Sequence, residues 1–253
     1  MSKKRKNEEQ PNRSTKTKVS RENNDNSNIE IKNTSKKNIH RISLVARTSN
    51  QKEVLKSLWQ NRITFVSGPA GSGKTYISAT YGLMELIKGK FEKIVITRPC
   101  VEAYGENMGF LPGTLFAKAE PFLRSVIDVF GDHAPVNEIN RLMEDGMITI
   151  VPLAFMRGLS FKNSFIVADE MQNSQVSQMM LLLTRLGENS KMVITGDLTQ
   201  SDLREGTNGL EDAIGRFDKV DGIGIYKFLR EDIVRDPLVQ VIVDKYEKED
   251  HGI

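Results

Sequence analysis

Hydrophobic residues along the chain fall into short runs that alternate with amphipathic stretches. Six runs are apolar and rich in β-branched residues, as strands are: 63–67, 93–97, 147–151, 164–168, 191–195 and 223–228. Helical spacing occupies 51–59, 75–88, 115–130, 136–144, 173–187, 208–217 and 237–247. Continuous apolar strands indicate burial on both faces of a sheet. The alternation of strand and helix therefore predicts an α/β fold with a doubly wound, mostly parallel sheet.

Residues 1–41 lack this pattern. They carry 12 Lys and Arg against 5 Asp and Glu, and they contain no aromatic residue. Such a segment cannot bury enough apolar surface to offset the entropy of ordering, so we expect a disordered basic arm followed by one domain over 42–253. A basic arm can hold nucleic acid by neutralising phosphates, and the alternative is a solubilising tail.

The composition narrows the class of protein. Cys100 is the only cysteine, so no disulfide can form within the chain, which is typical of the reducing cytoplasm. The three histidines are scattered, which argues against a histidine metal site. No apolar run approaches the roughly 20 residues that cross a bilayer. We therefore expect a cytoplasmic protein without a membrane segment.

The clearest chemistry lies between the first predicted strand and the helix that follows it. The segment is a glycine-rich phosphate loop whose eight residues are Gly68, Pro69, Ala70, Gly71, Ser72, Gly73, Lys74 and Thr75. Its glycines allow a sharp turn, so that backbone N–H groups converge on phosphates at the start of a helix. Lys74 would reach the β- and γ-phosphates, and the Thr75 hydroxyl would bind Mg²⁺. We expect this loop to bind ATP together with Mg²⁺.

Two carboxylates end the predicted strand 164–168. Asp169 and Glu170 follow Lys74 by about 95 residues. At the end of a parallel strand, Asp169 would face the metal, and Glu170 would polarise the attacking water. The alternative is an acidic helix start without catalytic meaning. Because a phosphate loop precedes the pair, we favour the catalytic interpretation.

Two further segments carry candidate residues with open alternatives. Residues 195–200 end another strand, where the Gln200 amide would contact the γ-phosphate; the alternative is a plain turn capped by Asp197. Arg235 stands just before a predicted helix start. It would act as an arginine finger, in its own subunit or in a neighbour, or else pair with a structural carboxylate.

Several segments beyond the phosphate loop together resemble the PhoH family, the phosphate-starvation-inducible P-loop ATPases related to superfamily 1 helicases. These segments are ITRPCVEA (96–103), GFLPG (109–113), PLAFMRG (152–158), ADEMQNS (168–174), LTRLG (183–187), SKMVITGDLTQSDL (190–203) and DIVRDPLV (232–239). The resemblance covers about Thr48 to Tyr246. It implies a RecA-like, helicase-like core.

The resemblance also implies roles for single residues. Lys74 and Thr75 would be the Walker A pair, and Asp169 and Glu170 the Walker B pair. Gln200 would be the sensor of motif III, Arg235 a finger candidate, and Gln51 the upstream glutamine that reads adenine. The last role favours ATP over GTP, as does the lack of an Asn-Lys-x-Asp motif in the sequence.

The resulting hypothesis is a cytoplasmic ATPase that couples hydrolysis to RNA or single-stranded nucleic acid. One core per chain suggests a ring-shaped homo-oligomer, such as a hexamer, in which a neighbour completes the site. The alternative is an ATP-binding regulatory or interaction protein of a phosphate-starvation or infection response, with little turnover. A small-molecule kinase is disfavoured because no arginine-rich lid is evident.

The sequence departs from the family pattern in three respects. Residues 114–118 lack the acidic residues expected after GFLPG, and Met171 replaces the usual alanine. Only about 40 polar residues precede the ATPase segment, too few for the PIN nuclease domain of some relatives. We therefore expect no ribonuclease activity of that kind, and the short form would suit a phage-encoded member.

Overall fold

The computed structural model describes residues 42–99, 124–201 and 208–234, together with scattered positions between 238 and 245. Several parts of the predictions lie outside the described residues. They include the N-terminal arm 1–41, the GFLPG segment 109–113, residues 115–123 of the predicted helix 115–130, and Arg235, and the predicted helix 237–247 is described only at scattered positions.

Strands and helices alternate along the described chain. The strands are β1 (Ile63–Ser67), β2 (Lys93–Thr97), β3 (Ile148–Ile150), β4 (Ser164–Ala168), β5 (Lys191–Gly196) and β6 (Ile223–Lys227). The helices are α1 (Ser49–Gln60), α2 (Lys74–Ile87), α3 (Val136–Glu144), α4 (Val176–Leu183) and α5 (Gly209–Phe217), and residues 124–131 are also helical. Within the described residues, no helix is both long and apolar enough to cross a membrane.

The six strands form one sheet in the order β3-β2-β4-β5-β1-β6, and all five strand pairs are parallel. The register brings the carboxyl ends together, with Ser67 opposite both Gly196 and Lys227. Thr97 lies opposite Ala168 on the other side of β5. Every strand therefore ends at one edge, where parallel α/β sheets bind their ligands.

Helices cover both faces of this sheet, which confirms the doubly wound α/β prediction. Successive strand residues point to opposite faces. On one face Val66 packs in a core with α1, α2, residues 124–131 and α3. On the other face Phe65 packs with α4 and α5. This double burial explains why the strands are continuous apolar runs.

Most predicted boundaries agree with the structure to within two residues, but the predicted helix 173–187 was too long. A 3₁₀ turn occupies Met171–Asn173, and α4 spans only Val176–Leu183. The side chain of Gln178 accepts a hydrogen bond from the N–H of Gln175 and caps the helix start. The Thr184 hydroxyl bonds the Met180 carbonyl at the other end. These two side-chain bonds therefore lie at the two ends of the helix.

Candidate functional site

The phosphate loop leaves β1 between its two neighbouring strands. The Gly68 N–H donates to the Gly196 carbonyl at 3.1 Å. A Cβ on Gly68 would lie only 2.7 Å from Cβ of Phe228, so this position requires glycine. Gly73 caps α2 in a left-handed conformation, and it supplies no side-chain hydrogen bond. The N–H groups of the first helical turn therefore lack a side-chain acceptor from the cap and suit an anion.

Lys74 folds back over the loop that precedes it. Its Nζ donates to the carbonyl oxygens of Gly68 at 2.6 Å and Pro69 at 2.9 Å. The Ser72 hydroxyl donates to the same Pro69 carbonyl at 2.7 Å. These bonds hold the loop closed with the ammonium group above it, in the region where phosphate oxygens would arrive.

The carboxylate of Asp169 is buried at the end of β4 and is held by two hydroxyl groups. Thr75 Oγ1 donates to Asp169 Oδ1 at 3.0 Å, and the hydroxyl of Thr195 on β5 donates to the same oxygen. Only 3% of Asp169 is exposed. Hydroxyl and carboxylate oxygens are the donors that Mg²⁺ prefers, so Thr75 and Asp169 fit the Mg²⁺ ion expected from the sequence.

The described residues contain no group of three or more His, Cys, Asp or Glu side chains that could hold a metal ion. This is compatible with Mg²⁺ at a phosphate loop. The ion commonly takes one or two protein ligands there, and phosphate and water oxygens complete its shell.

Glu170 has an unusual backbone and a partly exposed side chain. Its φ of 54° and ψ of 37° are left-handed, which is uncommon for a non-glycine residue and frequent at functional sites. Gln172 Nε2 donates to Glu170 Oε2 at 2.6 Å, and an Arg98 nitrogen lies 3.7 Å from Oε1. The side chain remains 37% exposed, so water can reach the carboxylate.

Gln200 lies beyond β5 and lines a cavity of about 470 Å³. Ser67 at the end of β1 and Gly68 and Pro69 of the phosphate loop form one wall, and Lys227 and Arg230 contribute cationic groups. The Asp197 carboxylate accepts hydrogen bonds from the N–H and the hydroxyl of Thr199. Asp197 therefore caps the turn, as the interpretation of a plain turn predicts. Gln200 also lines the same cavity as the start of the phosphate loop, as a contact with the γ-phosphate would require.

Gln51 lies against the opposite side of the loop. It lines a smaller pocket of about 220 Å³, which Tyr76 and Val234 also border. Its Nε2 donates to the Ser72 carbonyl at 3.0 Å, and its Oε1 accepts from the Arg47 N–H at 2.7 Å. The pocket has a suitable position for a base, but both ends of the Gln51 amide already have partners. Adenine recognition by Gln51 remains a prediction.

The segment after β6 is tied to both α1 and the phosphate loop. Asp232 Oδ2 accepts hydrogen bonds from Asn50 Nδ2 at 2.7 Å and from the Leu229 N–H at 2.8 Å. The Val234 N–H donates to the Gly71 carbonyl at 3.0 Å. Burial by itself would raise the pKa of the Asp232 carboxyl, but hydrogen bonds, the first from Asn50, hold that pKa below its ordinary value.

Comparison with known proteins decides the family. The chain matches the PhoH-like protein family over residues 41–247. The chain belongs to this family. It is 42% identical over 214 residues to the PhoH-like protein of Bacillus subtilis, covering 84% of this chain and 67% of that protein. It is 39% identical over 206 residues to Protein PhoH of Escherichia coli K12, covering 80% of this chain and 58% of that protein.

The PhoH-like protein of Mycobacterium tuberculosis H37Rv is 44% identical over 201 residues, covering 79% of this chain and 57% of that protein. The chain thus spans between 57% and 67% of the length of these relatives. Among solved structures, the Pif1 helicase of Candida albicans is similar with a TM-score of 0.39 and 17% identity, covering 79% of this chain and 43% of that one. The UvsW helicase of bacteriophage T4 gives a TM-score of 0.42 at 15% identity, covering 72% and 60%. Neither likeness bears on function.

This PhoH-like chain brings most of the predicted site residues to one sheet edge. The phosphate loop, Asp169, Glu170 and Gln200 all follow the carboxyl ends of strands, and Gln51 borders the loop. Arg235 lies outside the described residues, directly after the anchored Val234. Sequence reasoning missed Thr195 and Gln172. Thr195 is the last β5 residue before Gly196, and only the strand order shows that it meets Asp169.

Removing the Asp232 carboxylate should destabilise this PhoH-like fold. Asp232→Ala leaves the Asn50 amide and the Leu229 N–H without their acceptor, at a cost of about 2–4 kcal/mol. Because the Asp232 pKa is lowered, its stabilisation is present at neutral pH and is lost only as acid protonates the folded carboxylate. Urea unfolding at pH 7 measures the difference.

Asp218→Ala is the matched control, because it removes the same charge from a side chain that is 65% exposed. Its unfolding free energy should change by less than about 0.5 kcal/mol. Equal losses of unfolding free energy in the two variants would show that the Asn50–Asp232 hydrogen bond does not stabilise the fold.

Proposed function

We propose that this chain is a magnesium-dependent ATPase that couples hydrolysis to RNA or single-stranded nucleic acid. In this proposal Lys74 and the loop N–H groups bind the phosphates, and Thr75 and Asp169 hold the ion. Glu170 accepts the proton of the attacking water. Gln200 senses the γ-phosphate.

The observation that carries the proposal is the arrangement of the two neighbouring carboxylates. Asp169 is buried and bonded to the phosphate-loop residue Thr75, whereas Glu170 is left partly open to water. A protein that only binds nucleotide needs the first group and has no use for the second. Two adjacent carboxylates with such different environments support one metal-holding and one proton-accepting role.

The bound ion would neutralise charge on the phosphate oxygens. The chain itself orients the groups around it. Thr195 keeps the Asp169 carboxylate turned toward Thr75, and the Asp169 N–H bonds the Thr97 carbonyl at 3.0 Å. Asp169 is therefore held by contacts from three neighbouring strands, β2, β4 and β5.

A pocket beside the loop supports a purine base next to the triphosphate. Its walls combine aliphatic groups such as Val45 and Ile77 with the ring of Tyr76, which is 37% exposed. We infer adenine because the sequence has no Asn-Lys-x-Asp motif for guanine and because Gln51 lies in this wall.

Cationic groups support nucleic acid as the partner. Lys227 and Arg230 line the cavity that Gln200 shares with the phosphate loop. Residues 1–41 add 12 Lys and Arg against 5 Asp and Glu. Lysine and arginine bind nucleic acid chiefly by neutralising its phosphates, so binding should weaken as salt rises.

The test is steady-state ATP hydrolysis with Mg²⁺, with and without single-stranded RNA or DNA oligonucleotides. We expect ATP hydrolysis to require Mg²⁺ and to become faster when the oligonucleotide is added. The stimulation by the oligonucleotide should fall by about tenfold or more between about 50 and 200 mM salt, because contacts to phosphates weaken over this range. Hydrolysis that does not respond to nucleic acid would support the ATPase activity and contradict its coupling to nucleic acid.

One contact favours a second candidate, an ATP-binding regulatory protein with little turnover. Arg98 lies 3.7 Å from the Glu170 carboxylate, so this carboxylate already has an ion-pair partner within its own chain. The two candidates differ in the Glu170→Gln variant, which leaves a pure binding protein unchanged and inactivates an ATPase.

We also propose a cytoplasmic homo-oligomer, such as a hexameric ring. A single core forms one wall of a nucleotide site, so a neighbouring chain would supply the other wall and a finger such as Arg235. Size-exclusion chromatography with light scattering, run with ATP and Mg²⁺, should give a mass of several chains. A strictly monomeric result would remove the role of Arg235 in a neighbouring site.

A further inference from the structure

One buried amide connects the two loops that carry Glu170 and Gln200. Gln172 lies in the 3₁₀ turn after Glu170 and is only 2% exposed. Its Nε2 donates to Glu170 Oε2 at 2.6 Å, and its Oε1 accepts from the Asp197 N–H at 3.0 Å. One side chain therefore bonds the Glu170 carboxylate at one end and, at the other, the start of the segment 197–201 that carries Gln200 (the Gln200 segment).

The backbone reinforces this connection. The hydroxyl of Ser201 donates to the Gln172 carbonyl at 3.1 Å, so residues 197–201 are attached to Gln172 at both ends. A Cβ on Gly196 would lie 2.7 Å from Gln172 Oε1 and 3.0 Å from its N. Glycine at this position lets the end of β5 approach the Gln172 amide closely.

Glu170 depends on such support more than an ordinary carboxylate would. Its left-handed backbone carries a strain that surrounding contacts must offset. Its side chain is more than one-third exposed, and its charged neighbour, Arg98, is at the longer distance of 3.7 Å. The 2.6 Å bond from Gln172 is the shortest described contact that orients the carboxylate.

We infer that Gln172 is a positioning residue that orients the Glu170 carboxylate and couples it to the position of the Gln200 segment. The inference rests on the proposed ATPase function and adds a route between its two parts. A shift of the Asp197 N–H moves the acceptor end of the amide. Because an amide is planar and rigid, its donor end moves with the acceptor end. This movement turns the Glu170 carboxylate.

A double-mutant cycle between Gln172 and Glu170 tests the inference. Gln172→Leu removes both bonds at similar volume. We expect kcat to fall about 10–100-fold, with KM for ATP within about twofold of its starting value, as for other groups that orient a catalytic side chain. In the Glu170→Gln background the same substitution should change kcat less than about twofold, since the group it orients is already disabled.

A role in stability alone gives a different result. Losses of kcat that multiply in the double variant, or a KM that rises in step with the fall in kcat, would overturn the inference. If the leucine variant does not fold, Gln172→Glu serves instead. It keeps an acceptor for the Asp197 N–H, loses the donor to Glu170 and adds a repelling charge, so kcat should again fall with KM retained.

The matched control is Gln178→Leu. The Gln178 side chain also accepts a backbone hydrogen bond, from Gln175 at 2.9 Å, but it acts at the start of α4. Its kcat should stay within about twofold of wild type. A wild-type chain without turnover overturns the proposed function and this inference together. Normal turnover in wild type with multiplicative losses in the cycle overturns the inference alone.

Discussion

Replacing Glu170 with glutamine should lower kcat for ATP hydrolysis by about 10²–10⁴-fold, the usual contribution of a general base. Glutamine has nearly the same shape and can still accept the 2.6 Å hydrogen bond from Gln172. It cannot accept a proton from the attacking water. ATP affinity should therefore stay within about threefold, because Lys74, Thr75 and Asp169 are untouched.

Single-turnover hydrolysis and equilibrium binding of a fluorescent ATP analogue measure these two quantities separately. The control is Glu188→Gln, which changes the same charge on a side chain that is 80% exposed and lies beside Lys162. Its turnover should equal that of wild type. Unchanged hydrolysis in Glu170→Gln would contradict the catalytic role and favour a nucleotide-binding regulatory protein.

Replacing Lys74 with alanine should abolish productive nucleotide binding. Its ammonium group donates to two loop carbonyls, and bound phosphates would offer charged acceptors instead. Two charge-assisted hydrogen bonds contribute about 1.5–3 kcal/mol each. Their loss corresponds to a fall in kcat/KM of about 10²–10⁴-fold.

Folding should survive this change, because Lys74 is half-buried at the start of α2 and packs in neither core. Urea unfolding without nucleotide should agree with wild type within about 1 kcal/mol. Lys219→Ala removes a lysine that is 89% exposed and should retain full kcat/KM. Wild-type turnover in Lys74→Ala would show that the phosphate loop is not the site of hydrolysis.

Local patterns predicted much of the architecture correctly. The strand β1 and the beginning of α2 at Lys74 follow from an apolar run, a glycine-rich turn and a helical stretch that are contiguous in sequence. Asp169 and Glu170 end a continuous apolar strand, so their place at the ligand edge also follows from the sequence. The helix 173–187 was overestimated because apolar spacing does not reveal the 3₁₀ turn at Met171–Asn173 or the capping bond of Gln178 that begins α4.

Two results depended on which strands are neighbours. β5 lies between the phosphate-loop strand and the strand of Asp169, which brings the Thr195 hydroxyl to that carboxylate. Gln172 occurs in a segment that reads as an ordinary polar turn. Its bond from the Asp197 N–H became visible only when residues 25 positions apart were brought together at the sheet edge.

The phosphate loop, the carboxylate pair and the alternating layers were determined by the sequence alone, because each depends on residues within one strand, turn or helix. The tertiary structure alone decided how these pieces act on one another. It placed Asp232 against Asn50, 182 residues away, and it occupied the Gln51 amide with backbone partners. Such contacts form only after the sheet has assembled, since the strand order and both packed faces set their distances.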